Sequence, residues 1–388
     1  MKASVLTSRF AKVGFFLSTA VVVERVAVLG GAGFLLTQLT MSAYYSLVAL
    51  GLSLLMGYAG QISLGHAGFF AIGGYTSAVL TTWDLSARRG EEIVAVLARA
   101  GLLVTRAGAF GGEVLVLHPW PAFLCAVSLS AAVAFVVGIP VLKLKGHYLA
   151  MATLGVGTIL SSIAVGTAAL GAADGISGVP PFDLLPGLRV AGNSSVRVAN
   201  YYVAYGLLAA GMLLLSNLVH SRVGRALRAI HGAEDAASAM GVDIARYKLG
   251  TFVLSAALAA VAGSLLTHFN AGIGPSEVSI MKSVRYVAIV AVGGMGSLWG
   301  ALAASVVLNF LSLRGYFGSL DDAVFGAILI AVMLFAPGGI LSLDVRGAIG
   351  AVLRRLRPAR AAARAPGEAR PGEDGVPVIG GEAGEEGR

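Results

Sequence analysis

Charge is scarce in this chain. Only 12% of its residues are Asp, Glu, Lys or Arg, where a soluble domain carries about a quarter. That shortage argues against an ordinary water-soluble globule. Cysteine is scarcer still. Cys125 stands alone, so no internal disulfide forms and the redox compartment stays unmarked. Motifs that carry chemistry are also missing. No GxxxxGK[ST] loop occurs, so the chain does not hold ATP in that way. No Cys/His spacing suits a metal, and neither H-E-x-x-H nor G-x-S-x-G is found. The short alternating strands of an outer-membrane barrel do not appear either.

What is present is apolar. Hydrophobic residues make up 57% of the 388, and mean hydropathy is +0.83. They fall in blocks of about 20, the length at which a helix crosses a bilayer. The expected fold is an all-α membrane protein, a polytopic bundle of about nine or ten helices. Spans are expected near 12–34, 36–56, 62–82, 121–142, 147–170, 201–219, 248–270 and 322–341. Region 284–313 is too long for one simple span, and Gly293-Gly294 divides it. Lys2, Arg9 and Lys12 precede an apolar run in the manner of a signal peptide. Glu24-Arg25 interrupts that run and no A-x-A site follows, so a first spanning helix is expected. That charged couple reads as a structural pair or, alternatively, a proton relay.

Basic residues set the expected orientation. Lys143 and Lys145 lie between spans four and five. Arg222, Arg225, Arg228, Arg246 and Lys248 lie between spans six and seven. By parity these segments share a side with the N-terminus, which makes that side cytoplasmic and puts 83–120 and 171–200 outside. Arg346, Arg354, Arg355, Arg357, Arg360 and Arg364 reach the same side only if 284–313 makes two passes or a broken helix pair. The net charge of +8 is read as basic loops and tail, with no nucleic acid as partner. A transmembrane domain over 1–345 is expected, with an external excursion at 83–120 and a cytoplasmic loop at 220–248. Residues 346–388 read as a disordered cytoplasmic tail whose basic half can meet lipid headgroups. Within the excursion, 91–108 has apolar residues at helical spacing. It reads as an interfacial helix or as a docking surface for an external partner.

Three stretches stand out. "GYAGQISLGHAGFF" (57–70) places Gln61, Ser63, Gly65 and His66 where a helix starts. They serve capping and packing, or they approach a translocation path. Small residues recur every four positions at Ser255, Ala259, Gly263 and at Ala256, Ala260, Ser264, as they do at Gly296, Gly300, Ala304. Such faces let helices approach closely, within one subunit or against a second one. "GRALRAIHGAEDAASAMGVDIARYKLG" (224–250) is the most densely charged internal segment. Arg225 and Arg228 sit on a cationic helix that Gly232 breaks. Glu234 and Asp235 open a second, short helix at its positive end. Gly241 stops it, and Asp243 caps the next one. Ala236, Ala237 and Met240 give it a small, adaptable surface. A short rigid knob suited to a groove on another protein is expected.

"GLSLLMGYAGQISLGHAGFFAIGGYTSAVL" (51–80), "GHYLAMATLG" (146–155), "ADGISGVP" (173–180), residues 224–265, "VGGMGSLWGAL" (292–302) and "FAPGGI" (335–340) together resemble the permease subunits of bacterial branched-chain amino-acid ABC importers of the LivM type. The resemblance runs from about residue 36 to 341. It implies a type II importer-like permease in the bacterial inner membrane, without enzyme activity or a cofactor of its own. It also implies two cytoplasmic ATPases that bind the ATP, a second related permease, and a periplasmic or lipid-anchored binding protein. The family's coupling loop resembles the pattern E-A-A-x-x-x-G, which stands here as Asp235-Ala236-Ala237-x-x-x-Gly241. Asp replaces Glu, and the distal I-x-L-P is missing. The motifs leave cargo open among branched-chain amino acids, urea, short amides and aromatic acids. A stand-alone secondary transporter would need acids inside several spans, and apart from Glu24 they are nearly absent.

Overall fold

A computed structural model describes residues 2–88, 91–107 and 112–335. Long helices dominate. α1 (Lys2–Leu29), α2 (Leu35–Ala59) and α3 (His66–Thr82) come first, followed by a small α4 (Glu92–Arg99). Strands β1 (Leu103–Ala107) and β2 (Glu113–Leu117) precede α5 (Pro119–Val141) and α6 (His147–Gly166). Three short strands, β3 (Ile176–Ser177), β4 (Phe182–Leu185) and β5 (Leu188–Val190), lead to α7 (Arg197–Val219). Two short helices, α8 (Arg222–Gly232) and α9 (Glu234–Ala239), precede α10 (Ile244–Asn270). The chain closes with β6 (Gly272–Ile273), α11 (Ile280–Gly293), α12 (Leu298–Leu313) and α13 (Asp321–Phe335). Five of these helices, α2, α5, α6, α7 and α10, are long and apolar enough to cross a membrane. The protein is a helical, polytopic membrane protein.

α2 is the axis of the bundle. It is apolar on every face, and residues 42–56 are buried without a break. A helix hydrophobic all round belongs in an interior. α7, α10 and α12 pack around it, α3 packs on α10 and α5, and α5 and α6 are mostly exposed on the rim. Close packing depends on glycine. A Cβ on Gly73 would run into the Ala260 backbone, and one on Gly263 into the Phe70 carbonyl. The small residues of α10 are therefore spent inside this chain, where they seat α3 and α2. Gly57 admits the Met295 carbonyl in the same way.

The region 284–313 is broken as expected. α11 ends at Gly293, Gly294 takes φ +90°, and α12 starts at Leu298, where Ser297 caps the Gly300 N–H at 3.1 Å. Tyr58 donates to the Gly296 carbonyl at 2.9 Å, so this turn lies level with the end of α2.

The two ends of the bundle differ. α8, α9 and the 294–297 turn gather at one. The strands gather at the other as three antiparallel pairs, β1 with β2, β3 with β6, and β4 with β5. One helix across 91–108 does not form. α4 stops at Arg99, Gly101 takes φ +68°, and Leu103–Ala107 pairs with Glu113–Leu117. Leu, Val and Thr at 103–105 suit a half-buried strand once a partner is available, which overrides the helical spacing. Burial lowers the Arg106 guanidinium from its ordinary value, and the nearby Asp183 carboxylate opposes this. The excursion thus lies within electrostatic reach of the β4–β5 hairpin. The tail from 346 and the final "FAPGGI" beyond Phe335 lie outside the described residues.

Candidate functional site

The knob forms as its sequence signals require. α8 is amphipathic: Gly224, Leu227 and Ile230 are buried, and Arg222, Arg225 and Arg228 face out. Gly224 is required because a Cβ there would meet the Val219 carbonyl. Ser221 caps α8 through the Val223 N–H at 3.1 Å. After α9, Gly241 adopts φ +79°, and the Gly241 and Val242 N–H groups donate to the Ser238 and Ala237 carbonyls at 2.9 and 3.1 Å. Such a left-handed stop satisfies carbonyls that would otherwise be orphaned. Asp243 then caps α10 through the Arg246 N–H at 3.0 Å.

Side chains on α9 divide into two sets. Asp235, Ala236 and Met240 face out, and Met240 is 84% exposed. Ala237 is buried, which removes it from the outer surface expected of it. Glu234 turns inward to the Lys248 ammonium, which is itself buried. Lys145, from the α5–α6 connection, lies 3.9 Å from Glu234 and 3.7 Å from Asp235. The knob is therefore tied to α10 and to the 143–145 loop by charge. A groove of about 540 Å³ runs between these parts, lined in part by Lys143, Lys145, Glu234 and Lys248.

The 60–66 link starts at the same end and runs inward, so that the Ala67 N–H just beyond it donates to Ser283 of α11 at 3.2 Å. Gly60, at φ +67°, sits against His231 of α8. His66 is 1% exposed. Its Nδ1 is 3.0 Å from Ser63 Oγ, and its Nε2 is 2.7 Å from Ser255 Oγ. Both ring nitrogens are thus occupied within the bundle, joining α3 to α10. Gly65 lets the Thr153 carbonyl approach, bringing α6 to the same point. Gln61 is different: it is 1% exposed, and neither its amide oxygen nor its amide nitrogen has a hydrogen-bond partner. A buried amide left in that state is costly and is free to bind something else.

A further cluster escaped the sequence reading. Gly274-Pro275 opens a single 3₁₀ turn, Pro275–Val278, before Ser279 caps α11. Tyr45 of α2 donates to Glu277 at 3.0 Å and accepts from Lys282 at 3.1 Å. Lys282 also meets both Glu277 oxygens at 3.1 Å and lies 4.3 Å from the centre of the Tyr45 ring. One turn along α11, Arg285 binds Asp321 and Asp322 of α13 at 2.5 and 2.9 Å. In the sequence these charges lie between apolar runs and look like an ordinary connection. Their signal is the Ser279 cap after Gly274-Pro275, which starts α11 late. Among the described residues, no group of three or more His, Cys, Asp or Glu is placed to hold a metal ion.

With this geometry in place, comparison with known proteins is informative. The model of the family described as branched-chain amino acid transport system, permease component, matches residues 34–333. The high-affinity branched-chain amino acid transport system permease protein LivM of Salmonella typhimurium is 30% identical over 323 residues, covering 78% of this chain and 68% of that protein. LivH of Escherichia coli, with the same described role, is 28% identical over 314 residues, covering 78% of this chain and 92% of that one. BraD of Pseudomonas aeruginosa is 28% identical over 321 residues, covering 79% and 94%. No solved structure gives a significant match.

Proposed function

The chain belongs to the branched-chain amino acid transport permease family, and from that premise we propose that it forms the translocation path of an ATP-driven importer for branched-chain and related hydrophobic amino acids. It is a transport permease and not an enzyme. The observation that carries this reading is the family match over 34–333, which spans α2 to α13 almost completely. α9 supplies the means of coupling. A helix stopped at both ends, with Asp235, Ala236 and Met240 outward, fits a groove on a cytoplasmic ATPase. Arg225 and Arg228 border it, and Gly241 ends it. The knob end is then the cytoplasmic face, as Arg222, Arg225, Arg228, Arg246, Lys143 and Lys145 all favour. The membrane is the bacterial inner membrane. The assembly comprises two ATPases, which bind the ATP, a second related permease and an external binding protein. Lys145 and Lys248 pass movement of α9 to α5, α6 and α10, and so bias a two-state permease. Gln61, Ser63, Gly65 and His66 line the way inward from the cytoplasmic end of the path, and Gln61 keeps free hydrogen-bonding capacity there.

Gentle purification of the chain from its own membrane, followed by mass spectrometry, tests this. Stoichiometric P-loop ATPases and a second permease are expected. A chain that arrives alone and still transports in vesicles overturns it. Asp235→Lys tests the coupling: uptake is abolished while membrane insertion stays normal, and undiminished uptake removes α9 from its role.

A further inference from the structure

Glu277 and Lys282 occupy an unusual depth. Tyr45, which binds both, lies ten residues inside α2, roughly 15 Å along its axis. α11 has only 14 residues, about 21 Å, which is shorter than the ~30 Å apolar core of a bilayer. It runs from the level of Tyr45 to the level of Tyr58. α11 is therefore too short to span, and its first turn and the preceding 3₁₀ turn sit near mid-depth. Discontinuous helices of this kind hold substrate in many transporters.

A purely structural ion pair satisfies its surroundings, and this one leaves groups over. The Tyr75 and Tyr286 hydroxyls are buried, have no hydrogen-bond partner, and both lie within electrostatic reach of Glu277. Glu277 and Lys282 side chains keep 19% exposure each, so neither is sealed inside the chain. Beside them opens an apolar groove of about 310 Å³, lined by Tyr75, Ile72, Leu160 and Val278 among others. Val278 follows Glu277 directly. The neighbouring cation is already committed, since Arg285 holds Asp321, Asp322 and Ser312. Among the described residues, Lys282 is paired with Glu277 and with the hydroxyl and ring of Tyr45.

We propose that Glu277 and Lys282 are a binding station for the two charged ends of an α-amino acid, with its branched side chain in the groove beside Tyr75 and Val278. This rests on the transport reading above and extends it to named residues. A zwitterion crossing an apolar path carries two opposite charges, each expensive to leave unpaired. The station exchanges one pair for two. The substrate ammonium replaces Lys282 on Glu277, its carboxylate replaces Glu277 on Lys282, and no charge is left alone. Tyr75 and Tyr286 gain the partners they lack. When the substrate leaves, Glu277 and Lys282 close on each other again, so release does not strand a charge either.

The test measures uptake of radiolabelled leucine by whole cells that express the full importer. Competitors are leucinamide, which lacks the carboxylate, and 4-methylpentanoate, which lacks the ammonium. Membrane abundance of the chain is measured alongside. Glu277→Gln is expected to reduce uptake at least about tenfold and to let 4-methylpentanoate compete better. Lys282→Gln is expected to reduce it similarly and to favour leucinamide. Glu277→Asp restores most of the uptake. If both variants lower only abundance, or lower uptake with the competition profile unchanged, the pair is structural and the station is wrong. Unchanged uptake also rejects it. If the unmodified importer takes up no amino acid at all, the transport reading fails first and the station fails with it.

Discussion

Two glutamates, Glu234 and Glu277, are each held by lysine, and they differ in what surrounds the pair. Glu234 belongs to the knob, where Lys248 holds it from within and Lys145 from the solvent side. Glu277 lies among Tyr45, Tyr75 and Tyr286 near mid-depth, held by Lys282. The partners differ in exposure: Glu234 has a buried lysine, Lys248 at 6%, and an exposed one, Lys145 at 71%, whereas Lys282 beside Glu277 is at 19%. Coulomb attraction of equal charges scales inversely with the local dielectric, so like chemistry performs different work at the two places. At the knob the charges tie α9 to α10 and to the 143–145 loop. At mid-depth they hold two polar groups inside an apolar bundle where neither survives alone.

The largest effect is expected at Lys282. Lys282→Ala strands Glu277 among apolar helices and costs about 3 kcal/mol of stability. Thermal unfolding of the detergent-solubilised chain measures it. The comparison sharpens with Glu277→Leu combined with Lys282→Met. Removing both charges restores stability, because an apolar pair of similar volume needs no desolvation. Uptake stays lost. A double variant as unstable as Lys282→Ala would show that packing, and not the stranded charge, sets the cost.

Next comes the seat of the knob. Gly224→Ala forces the first turn of α8 away from the Val219 carbonyl, an overpacking cost of about 1–3 kcal/mol. The expected sign is greater labelling of a cysteine introduced at Ile230, which is buried in the parent. The Glu277 cluster is untouched, so leucinamide competition stays as in the parent. A change at both places would show that the clusters are mechanically one.

The two clusters were unequally legible in the sequence. The knob was readable because its signals are local. Gly232, Glu234, Asp235, Gly241 and Asp243 each act within a turn of their own position, and the structure uses the last two as stop and cap. The spanning helices were readable because apolar length needs no knowledge of neighbours, and the break at Gly293-Gly294 was readable because a span has a maximum length. The mid-depth cluster depends on α2, 232 residues away from Glu277 in sequence. Nothing near 277–282 announces Tyr45. Burial is non-local too: Ala236 and Ala237 read alike, yet only Ala237 faces inward. Segment 91–108 misled for the same reason, since the strand at 103–107 exists only because 113–117 returns to it.

The smallest effect tests why Lys145 should matter at all. Its ammonium lies 3.7–3.9 Å from two carboxylates, yet the side chain is 71% exposed. Such pairs contribute about 0–1 kcal/mol, because water and salt screen them. Lys145→Ala should therefore shift thermal stability barely, and by less still near 1 M salt, where the screening length falls to about 3 Å. Lys248→Ala should cost more, about 1–2 kcal/mol, since it leaves Glu234 facing a buried gap. Salt should not erase that loss. Uptake separates the two roles. If Lys145 transmits motion between α9 and the α5–α6 connection, its removal lowers transport while stability holds. A salt-insensitive loss of stability at Lys145 would instead put it in one class with Lys248, and the contrast between the two lysines of the knob would collapse.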